Sequence, residues 1–218
     1  KINMNNKQVT VIDLGIGNLF SIVSALKYCG SEVTVTSESK IIENSSLIIL
    51  PGDGAFNYAM TQVKERGLLK TLKNIKNTNK KLLGICIGMQ ILFDYSLEFG
   101  KNDGLGLISG NVIPIPRYSA EGKKVIIPHM GWNSLVLGNY SNGWEDTLLK
   151  NNSPSDEVYF IHSFMAVPSN INNRVADCIY EGHKIAAFVK NKNICGCQFH
   201  PEKSGKLGLK ILKEFIKQ

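Results

Sequence analysis

The stretch Leu82-Leu83-Gly84-Ile85-Cys86-Ile87-Gly88-Met89-Gln90-Ile91-Leu92-Phe93 decides the fold. Leu82 to Cys86 is a short apolar run without polar alternation, the pattern of a strand buried on both faces. Met89 to Phe93 reads as an apolar helix, and glycines at 84 and 88 bracket the cysteine where strand gives way to helix. Open α/β sheets use such strand–turn–helix units, and the sharp turn lifts its central side chain to the carboxyl edge of the sheet. The amino end of the following helix then points at the sulfur and favours thiolate. Taken alone, the pentapeptide fits a buried structural cysteine as well as a nucleophile.

The flanking sequence repeats the theme. Val9 to Leu14 is an apolar strand ending at Gly15, and Asn18 is placed to cap a helix that runs to Tyr28 and stops at Gly30. Glu32 to Thr36 reads as a second strand and Leu47 to Leu50 as a third, closed by the turn Pro51-Gly52-Asp53-Gly54. Apolar strands alternating with helices imply crossover connections and hence a parallel sheet covered on both faces. From Leu105 onward the texture changes to short β-rich runs separated by Asn, Gly, Ser and Pro: Val112 to Ile115, Val125 to Ile127, Val158 to Ile161, Val175 to Tyr180 and Ile185 to Val189. These read as antiparallel strands added to the same core. Leu207, Ile211, Leu212, Phe215 and Ile216 share one face of a closing helix. The expected fold is α/β, a doubly wound, mostly parallel sheet with added antiparallel strands, in a single domain over residues 1–218.

Composition narrows the function. Hydrophobic residues make up 43% and charged residues 20% of 218 residues, and no apolar run approaches a membrane span. The formal charge of +7 comes from dispersed lysines, a solvated surface rather than a nucleic-acid footprint. Five cysteines, Cys29, Cys86, Cys178, Cys195 and Cys197, form an odd set without CxxC spacing, so neither a disulfide framework nor a zinc site is expected, and no metal or cofactor. Lys1 to Lys7 is polar with no apolar segment behind it, and Met4 reads as the natural start; a cytoplasmic protein without a signal peptide is expected. Gly15-Ile16-Gly17 lacks the third glycine of a dinucleotide fingerprint and reads as a turn.

A free thiol with a pKa of about 8.5 is only slightly ionised at neutral pH, so Cys86 needs a base. Gln198-Phe199-His200-Pro201-Glu202 supplies one. In an extended segment His200 and Glu202 project to the same side, so the carboxylate can take one ring N–H and leave the other nitrogen for Cys86. Negative charge developing on a tetrahedral intermediate also needs donors, and the backbone N–H groups of Asp53 or Gly54 and of Ile87 are positioned to serve.

PGDGAF (51–56), GICIGMQ (84–90) and QFHPEKSG (198–205) together resemble the class I, triad-type glutamine amidotransferases. VIDLGIGNL near the start, GLGLISGNV (104–112), PHMGWN (128–133) and YFIHSF (159–164) are similar to one branch, the amidotransferase subunits of imidazole glycerol phosphate synthase. The resemblance implies a glutaminase in which Cys86 attacks the glutamine carboxamide, His200 protonates the departing ammonia and Glu202 orients His200. It implies an oxyanion site at Asp53 and Ile87 and a glutamine site at Gly52, Gly54, Gln90 and Glu98, with backbone from Ser163 and Phe164. Gly54, Gln90 and Glu98 would meet the amide, carboxylate and amino ends. It further implies a heterodimer with a (β/α)8 barrel synthase that receives the ammonia for histidine biosynthesis, docked over Met130, Trp132, Asn133, Tyr159 and Lys203. A sugar-amidating synthase as partner and a non-catalytic subunit of the same fold are the alternatives. The chain departs from the family pattern at Asp53, where an apolar residue is usual, at Phe164, where tyrosine is commoner, and at Cys197, where valine is frequent. A carboxylate at position 53 repels an oxyanion unless it turns away.

Overall fold

The computed structural model describes residues 7–218. The expectations placed on Lys1 to Asn6, including the start at Met4 and most of the polar leader-free segment, lie outside the described residues. Among the described residues, no helix is long and apolar enough to cross a membrane.

The first half alternates as its apolar runs require. Strand β1 (Gln8–Ile12) leads to helix α1 (Leu19–Tyr28), whose first turn is capped by the Asn18 side chain accepting from the Ser21 N–H. Then follow β2 (Glu32–Thr36), α2 (Ser39–Asn44), β3 (Leu47–Leu50), α3 (Phe56–Glu65), α4 (Leu69–Asn74) and β4 (Lys81–Ile85). All four residues of β3 are buried, the signature of a strand covered on both faces. Helix α5 (Ile87–Gln90) is a single turn, shorter than the expected Met89 to Phe93 helix and shifted toward the cysteine. The carbonyls of Ile91, Leu92 and Phe93 instead accept from Leu105, Leu107, Ile108 and Gly106, so tertiary bonds replace helix continuation.

The second half begins with two short strands, β5 (Tyr95–Ser96) and β6 (Asn102–Asp103), and then β7 (Gly110–Pro114). Val125 to Ile127 does not form the expected strand. The Val125 N–H donates to Arg117 across a turn, one isolated bridge joins Tyr118 and Lys124, and Ile126 is exposed. Besides β5 and β6, two longer strands not anticipated appear, β8 (His129–Leu137) and β10 (Phe164–Pro168), on either side of β9 (Glu157–His162) in the chain. The chain ends with β11 (Arg174–Tyr180), β12 (His183–Asn191), β13 (Ile194–Cys197) and α6 (Gly205–Ile216).

The main sheet has nine strands in the order β2-β1-β3-β4-β13-β12-β11-β8-β9. Pairings from β2 through β13 are parallel, and those from β13 through β9 are antiparallel. A second sheet orders β10-β7-β5-β6. Ile211, Leu212 and Phe215 of α6 are fully or almost fully buried against the core, as their spacing predicts. All five cysteines are free and buried.

Candidate active site

Four neighbouring parallel strands, β1, β3, β4 and β13, send their carboxyl ends to one rim, where open α/β sheets bind ligands. The loop after β1 brings Asn18, that after β3 brings Pro51 to Gly54, that after β4 brings Cys86, and that after β13 brings Gln198 and His200.

Cys86 sits at the elbow with φ 55° and ψ −110°, a strained conformation for a side-chain-bearing residue. Its glycine neighbours are needed for close approach. A Cβ on Gly88 would lie 1.7 Å from the Leu50 carbonyl oxygen, and one on Gly84 would lie 2.5 Å from the Gly88 oxygen. The thiol is nearly buried, with the Gln198 Nε2 donating toward Sγ at 3.8 Å and the Ile161 carbonyl at the same distance.

His200 Nδ1 and Glu202 Oε1 are 2.8 Å apart, so the carboxylate fixes the tautomer. Pro201–Lys203 forms a 3-10 turn rather than the extended segment expected, yet the pair still meets because the turn folds the carboxylate back beneath the ring. Nε2 of His200 is buried without a hydrogen-bond partner. One atom each from Cys86 (Sγ), His200 (ring nitrogen) and Asp53 (carboxylate oxygen) lie within 4.8 Å of one another. Burial disfavours a charged ring, but Cys86 and Glu202 together outweigh it and raise His200 to about 10.

Asp53 does not turn outward. Its Oδ2 accepts from the Asn18 N–H at 3.2 Å, and its Oδ1 lies 3.9 Å from His200 Nε2. The Ile87 N–H donates to the Gly52 carbonyl at 3.3 Å, so one of the two expected oxyanion donors is engaged within the protein.

A cavity of about 430 Å³ opens at Cys86 and is bordered by Asp53, Gly54, Ile87, Gln90, Glu98, Ser163 and Phe164, all among the expected site residues. Gly52 is not part of its wall. Glu98 is buried, not a solvated helix end, and its Oε2 accepts from the Phe56 N–H at 2.6 Å. Gln90 donates to Phe164 O and Gln198 Oε1, which leaves its Oε1 buried and free of partners. Lys203, expected on a docking surface, lines this cavity.

Sequence reasoning missed Gln198, Ile161 and His162. His162 is a wall residue whose Nδ1 bonds the Phe164 carbonyl at 2.8 Å and whose Nε2 meets His129 Nδ1 at 2.9 Å. Burial lowers His162 to about 3 and His129 to about 4, so both rings are neutral at pH 7. The YFIHSF motif contained the signal for His162; its role as a neutral wall follows only from the fold.

Met130 and Trp132 are half exposed on β8, and Trp132 packs edge-on against Tyr159 of β9 with ring centroids 6.1 Å apart. Trp132 is therefore a surface residue and not part of the core. Asn133 faces inward, its amide held by His129 Nε2 and the Ile179 carbonyl. A larger cavity of about 650 Å³ lies at the amino ends of β1, β3 and β4, and neither cysteine nor histidine is among the described residues that line it.

A strained thiol, a carboxylate-steered imidazole and an adjoining polar cavity define a cysteine hydrolase site of the amidotransferase kind. The chain belongs to the glutamine amidotransferase class-I family, whose model matches residues 10–218. Within that class it is 42% identical over 208 residues to imidazole glycerol phosphate synthase subunit HisH 1 of Legionella pneumophila (strain Lens), covering 95% of this chain and 98% of that one. It is 43% identical over 208 residues to subunit HisH of Caldanaerobacter subterraneus subsp. tengcongensis, covering 95% and 96%. The fold matches a chain of the structure of PurLQS from Thermotoga maritima with TM-score 0.71 at 20% identity, covering 97% and 98%. It also matches a crystal structure described as glutamine amidotransferase, with TM-score 0.68 at 19% identity, covering 96% and 99%.

Proposed function

We propose that residues 1–218 form one glutaminase domain, the ammonia-producing subunit of imidazole glycerol phosphate synthase. The observation that supports this reading most is the convergence of Cys86, His200 and Glu202, with Cys86 bordering a cavity of about 430 Å³. The two relatives named above are subunits of that synthase.

Cys86 Sγ attacks the carboxamide carbon of glutamine, and the carbonyl π electrons move onto oxygen. The imidazolium of His200 gives its proton to the leaving nitrogen, and ammonia departs as the carbonyl reforms in a thioester. Water then attacks the thioester with His200 as base, releasing glutamate and restoring the thiol. Glu202 holds Nδ1 and stabilises the charged ring. Glu98 presents a carboxylate to the substrate ammonium, and Gln90, whose amide now donates to the Phe164 carbonyl and Gln198 Oε1, must turn that amide to donate to the substrate carboxylate.

The engaged Ile87 N–H implies a resting oxyanion site. Gly52 must withdraw its carbonyl, and Asp53 its carboxylate, before the tetrahedral oxygen finds donors there. A partner seated over Met130, Trp132 and Tyr159 would sit beside the same rim and could drive that change. A docked partner is required because free ammonia is mostly protonated in neutral water and must pass through a closed route; the family resemblance implies that this partner is a (β/α)8 barrel synthase in a heterodimer. The cytoplasm, where the histidine pathway operates, is the proposed compartment.

The test is glutamate release by the chain alone and with the barrel synthase and its ligand. Strong stimulation that Cys86→Ala lowers by about four orders of magnitude is expected. Stimulated turnover unchanged in Cys86→Ala overturns the reading.

A further inference from the structure

We propose that Cys86, His200 and Asp53 form a binding site for a transition-metal ion of the zinc class, which caps the nucleophile and reversibly silences the enzyme. Metal binding stands on geometry; the silencing rests on the glutaminase function proposed above.

The donor set is a thiolate, an imidazole and a carboxylate, which suits zinc or cobalt and not magnesium or calcium. Metal–donor bonds of roughly 2.0–2.3 Å place tetrahedral donors roughly 3.3–3.7 Å apart. Here Asp53 Oδ1 and His200 Nε2 are 3.9 Å apart, and all three donors fall within 4.8 Å of one another. The Asp53 side chain is 43% exposed, so it can take up part of the remaining contraction by pivoting about the Oδ2 that the Asn18 N–H holds.

Each donor already has the partner that orients a metal ligand. Glu202 holds His200 Nδ1 at 2.8 Å, the carboxylate–histidine arrangement that leaves the second nitrogen for a metal. The Asn18 N–H holds Asp53 Oδ2, which leaves Oδ1 toward the ring. The Gln198 amide donates toward the Cys86 sulfur. His200 Nε2 is an independent pointer, because its ring is 97% buried by side-chain accessibility (3% exposed) and this atom has no hydrogen-bond partner. Asp53 and Cys86 both border the cavity, so an ion entering from it retains one position for water. Binding forms one bond to each donor and displaces one proton from the Cys86–His200 pair to solvent. An apolar residue at position 53 would leave only two donors.

The full chain, stripped of metal, is titrated with Co²⁺ alone and then with Zn²⁺. The expected result is a stoichiometric thiolate-to-cobalt charge-transfer absorption, displaced by Zn²⁺ and absent in Cys86→Ser. In Asp53→Val the affinity should fall by at least the roughly 10–100-fold that even outer-shell partners command. Asp53→Asn, which keeps the size of the side chain, serves if the valine variant does not fold, with the same loss expected. No thiolate band in the wild type, a band that survives Cys86→Ser, or unchanged affinity in the Asp53 variants would each overturn the proposal. If the metal-free protein with its partner releases no glutamate, although a separate sample titrated with Co²⁺ shows the cobalt band, it is the glutaminase function that has failed and not the site.

Discussion

Two walls meet at the cavity beside Cys86, and they hold buried histidines in opposite states. On the parallel side, the loops after β3, β4 and β13 surround His200 with a sulfur and a carboxylate, and the ring is raised to about 10. On the antiparallel side, β8 and β9 bury His129 and His162 against each other and a carbonyl, and burial lowers them to about 4 and about 3. Burial is common to both. What differs is the presence of an anion within reach, so the same side chain becomes a proton carrier on one wall and a neutral structural element on the other.

Replacing Glu202 by Gln should have the largest effect. It removes the anion that separates the two walls, lowering kcat by roughly three to four orders of magnitude by analogy with triad carboxylates. The alkaline limb of the stimulated rate should also move. In the wild type, a general acid raised to about 10 keeps its proton until the pH rises toward that value; in the variant the limb should fall at lower pH. A limb that stays in place would break the comparison.

Stability in acid probes the other wall. His162 and His129 are depressed from 6.5, so their contribution is full above about 6.5 and is lost as pH falls toward about 4 and then about 3. A loss on the order of a few kcal/mol over that window is expected in urea titrations, and His162→Gln should flatten it. Flattening would sharpen the contrast, because His200 has the opposite sign: its contribution is full below 6.5 and declines as pH rises toward about 10.

Gly88→Ala tests how tightly the parallel wall is packed. Its new methyl would strike the Leu50 carbonyl, and a stability loss of about 1–3 kcal/mol with a loss of activity is expected from chemical denaturation and turnover. Asn133→Ala, on the antiparallel wall, should have the smallest effect. It removes one amide held by His129 and Ile179, costing about 1 kcal/mol in stability.

The contrast between the walls also explains what was legible in the sequence. β2 and β3 match their apolar or β-branched runs residue for residue, and β1 and β4 do so to within one or two, because a strand buried on both faces needs an unbroken run. The meeting of Cys86 with His200, and of His200 with Glu202, was legible because an elbow cysteine calls for a base and an imidazole for a carboxylate that orients it. β8 was not, because Met130 and Trp132 point outward between inward polar residues, which conceals the alternation. Val125 to Ile127 misled for the converse reason: β-branched residues exposed on a turn look like a strand. The short helix after Cys86 and the inward carboxylate of Asp53 depend on bonds to residues distant in the chain, Leu105 to Ile108 and Asn18, which no local pattern encodes.

Strand β13 is among the last elements made, yet it lies in the middle of the sheet, between β4 and β12. The imidazole follows directly on that strand, so sulfur and ring come together only after the final segment has threaded into the centre. A chain still emerging from the ribosome, or one clipped before Ile194, holds its thiol without a base. Glutamine is therefore safe from half-made copies, and release of ammonia begins only with a finished molecule.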